Sequence, residues 1–294
     1  MSNTAVLGGT NSKELAKKLA KRINADYGAL ITDKFPDGET YLKLPFSVEG
    51  KKVIIVEGMH PNPNEILIET IFAARTAKEL GATEVVLVAP YLAYLRQDKR
   101  FHPLECWSNR IISAILHFAD RIIAIDPHIQ RITDLQSIFK IPAKQITANA
   151  LIAEYIQKNI KEPVILGPDE ESYQWAEKIA ERIHVEVTVL RKKRYTSRHV
   201  TIKLKTDINL KGRNVVIVDD IISSGHTMIE VIKQAKKMKA KTITCLAVHG
   251  IFAENALGKI RSAGARTYAS NTISNPVAKI DISGIISEKV IEWI

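Results

Sequence analysis

Short apolar runs rich in β-branched residues alternate with amphipathic stretches along most of the chain, and no other feature restricts its fold as tightly. AVLGG precedes SKELAKKLAKRI, KKVIIVEG precedes NEILIETIFAARTAKEL, and TEVVLVAPY precedes WSNRIISAILHFA before RIIAID. The rhythm resumes with NALIAEYIQKN, PVILGPD, YQWAEKIAERI, VEVTVL, RNVVIVDD, TMIEVIKQAKKM, KTITCLAVHG and AENALGKIRSAGA. Continuous apolar runs read as strands buried on both faces, and the helices between them supply the crossovers that parallel strands require. The two series predict two tandem α/β domains, each a mainly parallel sheet with helices on both faces. IPAKQIT interrupts the pattern and marks the boundary, giving domains of residues 1–146 and 147–294. KFPDGETYLKL also departs from it: Asp37-Gly38 between strand-like residues predicts a hairpin or tight turn standing off the sheet.

A chain of 294 residues suffices for about two such domains. With 46% hydrophobic and 25% charged residues it reads as soluble and globular. No window approaches the apolar run of about 18 residues that a membrane span needs, and MSNTAVLGGTNSKELAKKLAKR contains no apolar signal core, so the expected address is cytoplasmic. Cys106 and Cys245 stand far apart without a Cys-x-x-Cys or Cys/His cluster, which leaves them packing roles. The formal charge of +10 suits nucleic acid or small polyphosphates equally. Lys13, Lys17, Lys18 and Lys21, and Lys233, Lys236, Lys237 and Lys239, recur opposite apolar positions and read as solvated helix faces. No helix-turn-helix segment is recognisable, so neither nucleic acid nor membrane is expected as a partner.

Ligands of open parallel sheets sit beyond the carboxyl ends of strands, and four such ends carry chemistry: APYLAYLRQDKRF, AIDPH, ILGPD and VIVDD. In VIVDDIISSGHT, an apolar strand ends in Asp219 and Asp220 and runs into Ser223, Ser224, Gly225, His226 and Thr227. Such a turn at a helix N-terminus offers N–H groups and hydroxyls to an anion; a plain Ser or Thr N-cap is the structural alternative. A cap does not account for two acids ahead of the turn, whereas a sugar phosphate does, its hydroxyls donating to the acids while its phosphate fills the turn. Asp169 at the end of ILGPD has no evident packing purpose.

VIVDDIISSGHT resembles the phosphoribosyl-diphosphate loop of the type I phosphoribosyltransferase fold, which transferases and synthetases share. PYLAYLRQDKRF resembles the ATP signature of one family, the ribose-phosphate diphosphokinases, and the resemblance runs in order from GGTNSKELA to SNTISNP. It implies transfer of a diphosphoryl group from ATP to ribose 5-phosphate. Arg96, Gln97, Asp98 and Lys99 would hold ATP, and Phe35, Asp37, Gly38 and Glu39 would form the hairpin that reaches the adenine of a neighbouring subunit, so a homo-oligomer of at least two chains is implied. Asp219 and Asp220 would align the ribose, and Ser223, Ser224, Gly225, His226 and Thr227 would hold the 5-phosphate. His128 and Asp169 would contact Mg²⁺. The basic stretch VLRKKRYTSRHV falls on the flexible catalytic loop, with Lys192 and Arg194 as catalytic cations after the strand VEVTVL, Arg194 also reaching ribose 5-phosphate.

The chain departs from the family pattern in three places. Glu171 and Ser172 follow the Pro-Asp motif where small residues are usual, His226 stands where the phosphate turn usually has Gly, and Leu104 replaces the Gly of a Pro-Gly-Glu. A nucleobase phosphoribosyltransferase would explain the Asp-Asp turn but not RQDKR, FPDGE or the duplicated architecture. A non-catalytic synthetase-like regulatory paralogue is the other alternative, against which stand Lys192, Arg194, Asp169 and His128.

Overall fold

The computed structural model describes every residue except 1, 130, 131, 133, 195–199, 205–207 and 294, and only the backbone of 171, 191–194 and 200–204. The chain opens with β1 (Thr4–Gly8), α1 (Lys13–Ile23) and β2 (Asp26–Ala29), followed by β3 (Ile31–Lys34) and β4 (Thr40–Lys43). Then come β5 (Lys52–Val56), α2 (Pro63–Glu79), β6 (Glu84–Ala89), α3 (Ser108–Ile115), β7 (Arg121–Ile125) and β8 (Ala143–Ile146). Six of these strands form one parallel sheet in the order β2-β1-β5-β6-β7-β8. Its inner strands are buried along almost their whole length, as strands covered on both faces must be. On α1, Leu15, Ala16, Leu19 and Ala20 are buried in one stripe while Lys17, Lys18 and Lys21 face solvent. IPAKQIT, which interrupts the sequence rhythm, forms the edge strand β8, pairing Ile122 to Ile125 with Ala143 to Ile146.

The second series runs through α4 (Asn149–Asn159), β9 (Pro163–Gly167), α5 (Glu170–Ile183), β10 (Val187–Arg194) and β11 (Val200–Leu204). It continues with β12 (Asn214–Ile222), α6 (His226–Lys237), β13 (Thr242–Gly250), α7 (Ala256–Ser262), β14 (Arg266–Ser270), β15 (Ala278–Ile280) and α8 (Ser283–Trp293). The sheet order is β11-β10-β9-β12-β13-β14-β15, parallel except for the antiparallel pair β10–β11. Its core gathers Leu166 of β9, Ile217 of β12, Cys245 of β13 and the inner face of α6, including Val231 and Ile232. Cys245 thus has the packing role expected of it, and its burial pushes its thiol up to about 12.

Two compact units result. One comprises residues 1–147 with 272–274 and 282–294, the other 148–271 with 275–281. The last segment joins the first unit because α8 packs on α1, where Arg22 Nε donates to Ser283 Oγ at 2.9 Å. Lys144 on β8 adds an ion pair to Glu292 at 3.1 Å. Among the described residues, no helix is long and apolar enough to cross a membrane.

Candidate active site

In the second unit the chain places β9 first, lays β10 on one side and β12 on the other, so the order reverses between β9 and β12. The loops leaving these two strands diverge to opposite sides and open a crevice at their carboxyl ends. Asp169 follows β9, and Asp219 and Asp220 lie in β12 just beyond its pairing with β9, in a strand that runs to Ile222 beside β13; the three acids come together there. Burial raises the Asp219 carboxyl well above the usual range, and the negative charges of Asp220 and Asp169 push it further. The Asp220 N–H donates to Asp219 Oδ1 at 3.0 Å, the one backbone contact that opposes the rise. Carboxylates crowded in this way are relieved by a cation or by hydroxyl donors. Among the described residues, no three His, Cys, Asp or Glu side chains converge closely enough to ligate one ion alone.

Asp169 also has a packing role that its sequence context did not suggest. It caps α5: the Ser172 N–H donates to Asp169 Oδ1 at 2.9 Å, and the Asp169 N–H donates to Ser172 Oγ at 3.2 Å. This reciprocal pair is a capping box with Ser in the third helical position, and it accounts for Ser172 where the family pattern has a small residue.

The turn after β12 contrasts with α5. Gly225 is the N-cap of α6 at φ 77°, and no side chain caps the helix, so the alternative of an ordinary Ser or Thr cap is excluded. No acid occupies the first turn. Unpaired N–H groups and the positive end of the helix dipole face the turn, the arrangement that favours an anion. A Cβ at Gly225 would come within 3.1 Å of the Ala256 Cβ, so both φ and space require glycine here. Ser224 Oγ lies 2.8 Å from His226 Nδ1; His226 and Thr227 are exposed.

Lys192 and Arg194 lie within β10 itself. The strand pairs with β9 only from Val187 to Val189, then runs on against β11, with Lys192 opposite Ile202 and Arg194 opposite Val200. The five residues from Leu190 to Arg194 carry the ribbon beyond the carboxyl end of β9, by about 16 Å at the usual strand rise. The expected loop is therefore a two-stranded ribbon as far as Arg194; the rest of the stretch, 195–199, lies outside the described residues.

In the first unit, the order reverses between β1 and β5. The loop after β6 keeps Asp98 buried and exposes Arg96 and Lys99, with Gln97 between these extremes. The Asn109 N–H donates to the Gln97 carbonyl at 3.4 Å. Glu105 holds the end of this loop, accepting from the Phe101 and His102 N–H groups at 2.9 and 3.0 Å. Arg100 and Arg110 flank the Trp107 ring at 5.9 and 5.7 Å from its centroid, and Lys99 lies 5.3 Å from that of Phe101. Leu104, at φ 69°, is fully exposed in a conformation that glycine adopts more easily. His128 follows β7 by three residues and is partly buried.

The Asp37-Gly38 signal does mark a hairpin. The Gly38 N–H donates to the Phe35 carbonyl at 2.8 Å, the Phe35 N–H to the Glu39 carbonyl at 2.9 Å, and Gly38 takes φ 93°. Phe35 is half exposed and meets Tyr41 edge to face. Between the hairpin and α2 lies a cavity of about 560 Å³ whose lining includes Gly38, Glu39, Asn64, Glu65 and Phe72. Lys34 bridges it to Glu65 at 2.9 Å.

Sequence reasoning passed over Glu57, at the end of β5. It is 1% exposed, accepts from the Asn11 N–H at 3.1 Å, and lies so close to Gly9 that a Cβ there would fall 1.5 Å from its Oε2. Burial, with nearby Glu69 adding to it, raises its carboxyl to about 8. The signal available was an acid directly after a wholly apolar run, KKVIIVEG.

Comparison with known proteins bears on the assignment of both units. The ribose-phosphate pyrophosphokinase of Methanopyrus kandleri is 32% identical over 289 residues, covering 97% of this chain and 98% of the relative. That of Pyrococcus furiosus is 35% identical over 275 residues, covering 93% and 96%. The chain belongs to the ribose-phosphate pyrophosphokinase family. Residues 4–119 match the family model for the N-terminal domain of ribose phosphate pyrophosphokinase, and residues 134–283 match the phosphoribosyl transferase domain. The fold agrees with the phosphoribosylpyrophosphate synthetase of Mycobacterium smegmatis, with a TM-score of 0.87 at 24% identity and 99% of each chain covered.

Proposed function

We propose that the chain transfers the diphosphoryl group of ATP to the anomeric hydroxyl of ribose 5-phosphate, giving 5-phosphoribosyl 1-diphosphate and AMP. The observation that carries this reading is the crevice of the second unit, where an uncapped helix N-terminus stands beside two crowded acids. The 5-phosphate takes the N–H groups and hydroxyls of 223–227, and the ribose hydroxyls donate to Asp219 and Asp220, which relieves the repulsion that raises Asp219. In the first unit, Arg96, Gln97, Asp98 and Lys99 bind ATP, and Phe35, Asp37, Gly38 and Glu39 offer an aromatic face and two acceptors to adenine. Lys192 and Arg194 neutralise charge developing at the transferred group, since positioning and electrostatics dominate phosphoryl transfer. Arg194 also reaches the sugar phosphate.

Mg²⁺ is the proposed cofactor. The chemistry of the donors fits it, because hard oxygen ligands suit Mg²⁺ and a sparse protein set leaves room for phosphate oxygens and waters. Asp169 and His128 are the residues offered to it, and when bound it supplies charge neutralisation for the phosphates.

A homo-oligomer of at least two chains accords with the side chains left at the surface of the first unit. Helix α3 buries Asn109 and Ser113 while Ile111 and Ile115 stay exposed, as do Phe35 and Tyr41 on the hairpin and Ile68 and Phe72 on α2. Domain limits at 146/147 are retained for the functional assignment, ATP before and ribose 5-phosphate after. Incubating the protein with Mg²⁺, ATP and ribose 5-phosphate is expected to produce equal amounts of AMP and 5-phosphoribosyl 1-diphosphate. ADP as product, or nucleotide binding without turnover, refutes the reading in favour of another phosphotransfer or of a regulatory paralogue.

A further inference from the structure

His226 occupies the phosphate turn and is already bonded to one of the turn's own hydroxyls. Ser224 Oγ and His226 Nδ1 are 2.8 Å apart, a good distance for one hydrogen bond. A serine hydroxyl has a single proton to donate. With the imidazole neutral and its proton on Nε2, the serine proton points at Nδ1, and the hydroxyl then presents only lone pairs to an incoming anion. A phosphate dianion in the turn requires the opposite orientation. The hydroxyl must donate outward, and Nδ1 then needs a proton to donate to it; a change of tautomer supplies one without net uptake, whereas protonation of the ring supplies one together with a positive charge for the dianion.

We infer that ribose 5-phosphate binding is coupled to proton uptake by His226, the Ser224 hydroxyl reversing its hydrogen bond from the imidazole to the phosphate. This rests on the assignment of the 223–227 turn to the 5-phosphate and deepens it. The proton comes from solvent and enters at Nδ1, which then donates to Ser224 Oγ while Ser224 donates to a phosphate oxygen. No covalent bond changes other than that N–H. The uptake places a positive charge beside the dianion at the start of α6, where the first turn holds no acid. Histidine is the side chain suited to this role, since its ordinary titration falls between pH 5 and 8.

Charged groups lie on both elements that meet at the turn. From β12, Asp219 and Asp220 lie three and two residues before the strand's end at Ile222, and on α6 itself Glu230 stands one turn along. From the segment packed on Gly225 the near side chains are the apolar Ala256 and Ile260. The charged pair of that segment, Glu254 and Lys259, bond to each other at 3.5 Å. The family's usual glycine at this position has no group to take up a proton.

Titration calorimetry with ribose 5-phosphate, at pH 7.5 in two buffers of different ionisation enthalpy, measures the protons taken up on binding. The sugar phosphate contributes its own share, so the readout is the difference between wild type and His226→Gly. Wild type is expected to take up more, and its dissociation constant to rise with pH by up to about tenfold per unit beyond the rise in the variant. His226→Asn keeps a polar side chain over the turn without a titrating group, and its uptake should fall to that of His226→Gly. Equal uptake by wild type and both variants overturns the coupling while leaving the phosphate assignment intact. Failure of wild type to bind ribose 5-phosphate at all overturns both.

Discussion

Asp169 shows how one side chain can carry a structural and a chemical duty at once. Its Oδ1 caps α5 while its charge bears on Asp219, so alanine and asparagine replacements separate the two. Asp169→Ala is expected to cost about 1 kcal/mol, the usual penalty for a lost N-cap. Asp169→Asn keeps an accepting oxygen and should unfold within a few tenths of wild type. Loss of the charge should still raise the Mg²⁺ concentration for half-maximal activity by roughly tenfold, as expected for one charged contact. Chemical denaturation and a Mg²⁺ titration of turnover check the pair, and parallel losses in both would reduce Asp169 to a cap. Glu57 offers a test of pH dependence. An acid raised to about 8 in the folded chain from an ordinary 4.5 is protonated more readily folded than unfolded. Its contribution to stability is therefore whole below about pH 4.5 and is lost progressively as pH climbs to 8. Glu57→Gln, uncharged throughout, should raise the melting temperature at pH 8 relative to its effect at pH 5; an equal shift at both pH values would contradict the assignment. The sequence placed Asp169 and Asp219 at strand ends. It could not show the cap or the crowding, since each depends on which strands become neighbours. Glu57 was visible only as an acid after an apolar run, and nothing local to it discloses burial.

At the scale of elements, periodicity identified the buried strands and the long amphipathic helices, because a parallel sheet covered on both faces leaves little choice of composition. Edges were harder to read. Strands β2, β8, β11, β14 and β15 lie at or near sheet margins and carry mixed sequences such as DYGA and AKQI, in which neither period dominates. The antiparallel ribbon β10–β11 was missed for a further reason: a run of Lys and Arg reads as a loop until a partner strand lies opposite. Placing Lys192 on a ribbon rather than a slack loop has a kinetic consequence. Paired to Ile202, its backbone is held before substrate arrives, so little ordering remains to be done when the transferred group develops charge. Lys192→Ala should lower kcat by at least a hundredfold, in the range of a lost electrostatic stabiliser, with a much smaller change in KM for ATP. Steady-state kinetics check it, and small, equal effects on both constants would remove Lys192 from the catalytic step.

At the scale of the whole molecule, the duplicated architecture was legible in the two series of strands and helices, and the hand-over between them was not. IPAKQIT looked like a break, yet its alternating residues supply the last strand of the first sheet. The C-terminal helix gave no sign of its destination, because an amphipathic helix reveals that it packs but not on what. Removal of residues 283–294 is expected to destabilise the first unit selectively, since it strips α1 of its partner and takes away the bonds to Arg22 and Lys144. Hydrogen exchange followed peptide by peptide should show α1 and β8 losing protection while β12 and β13 keep theirs. Uniform loss across both units would mean that α8 supports the molecule as a whole.

That returning helix also sets a timetable. The second unit has nearly all its residues once about Asp281 has emerged from the ribosome, whereas the first unit, though made earlier, still lacks the segment that covers α1. Domains ordinarily mature in the order of their synthesis; here the half expected to bind ATP finishes last. A nascent chain can thus present a finished turn after β12 while its first unit still lacks the helix that covers α1.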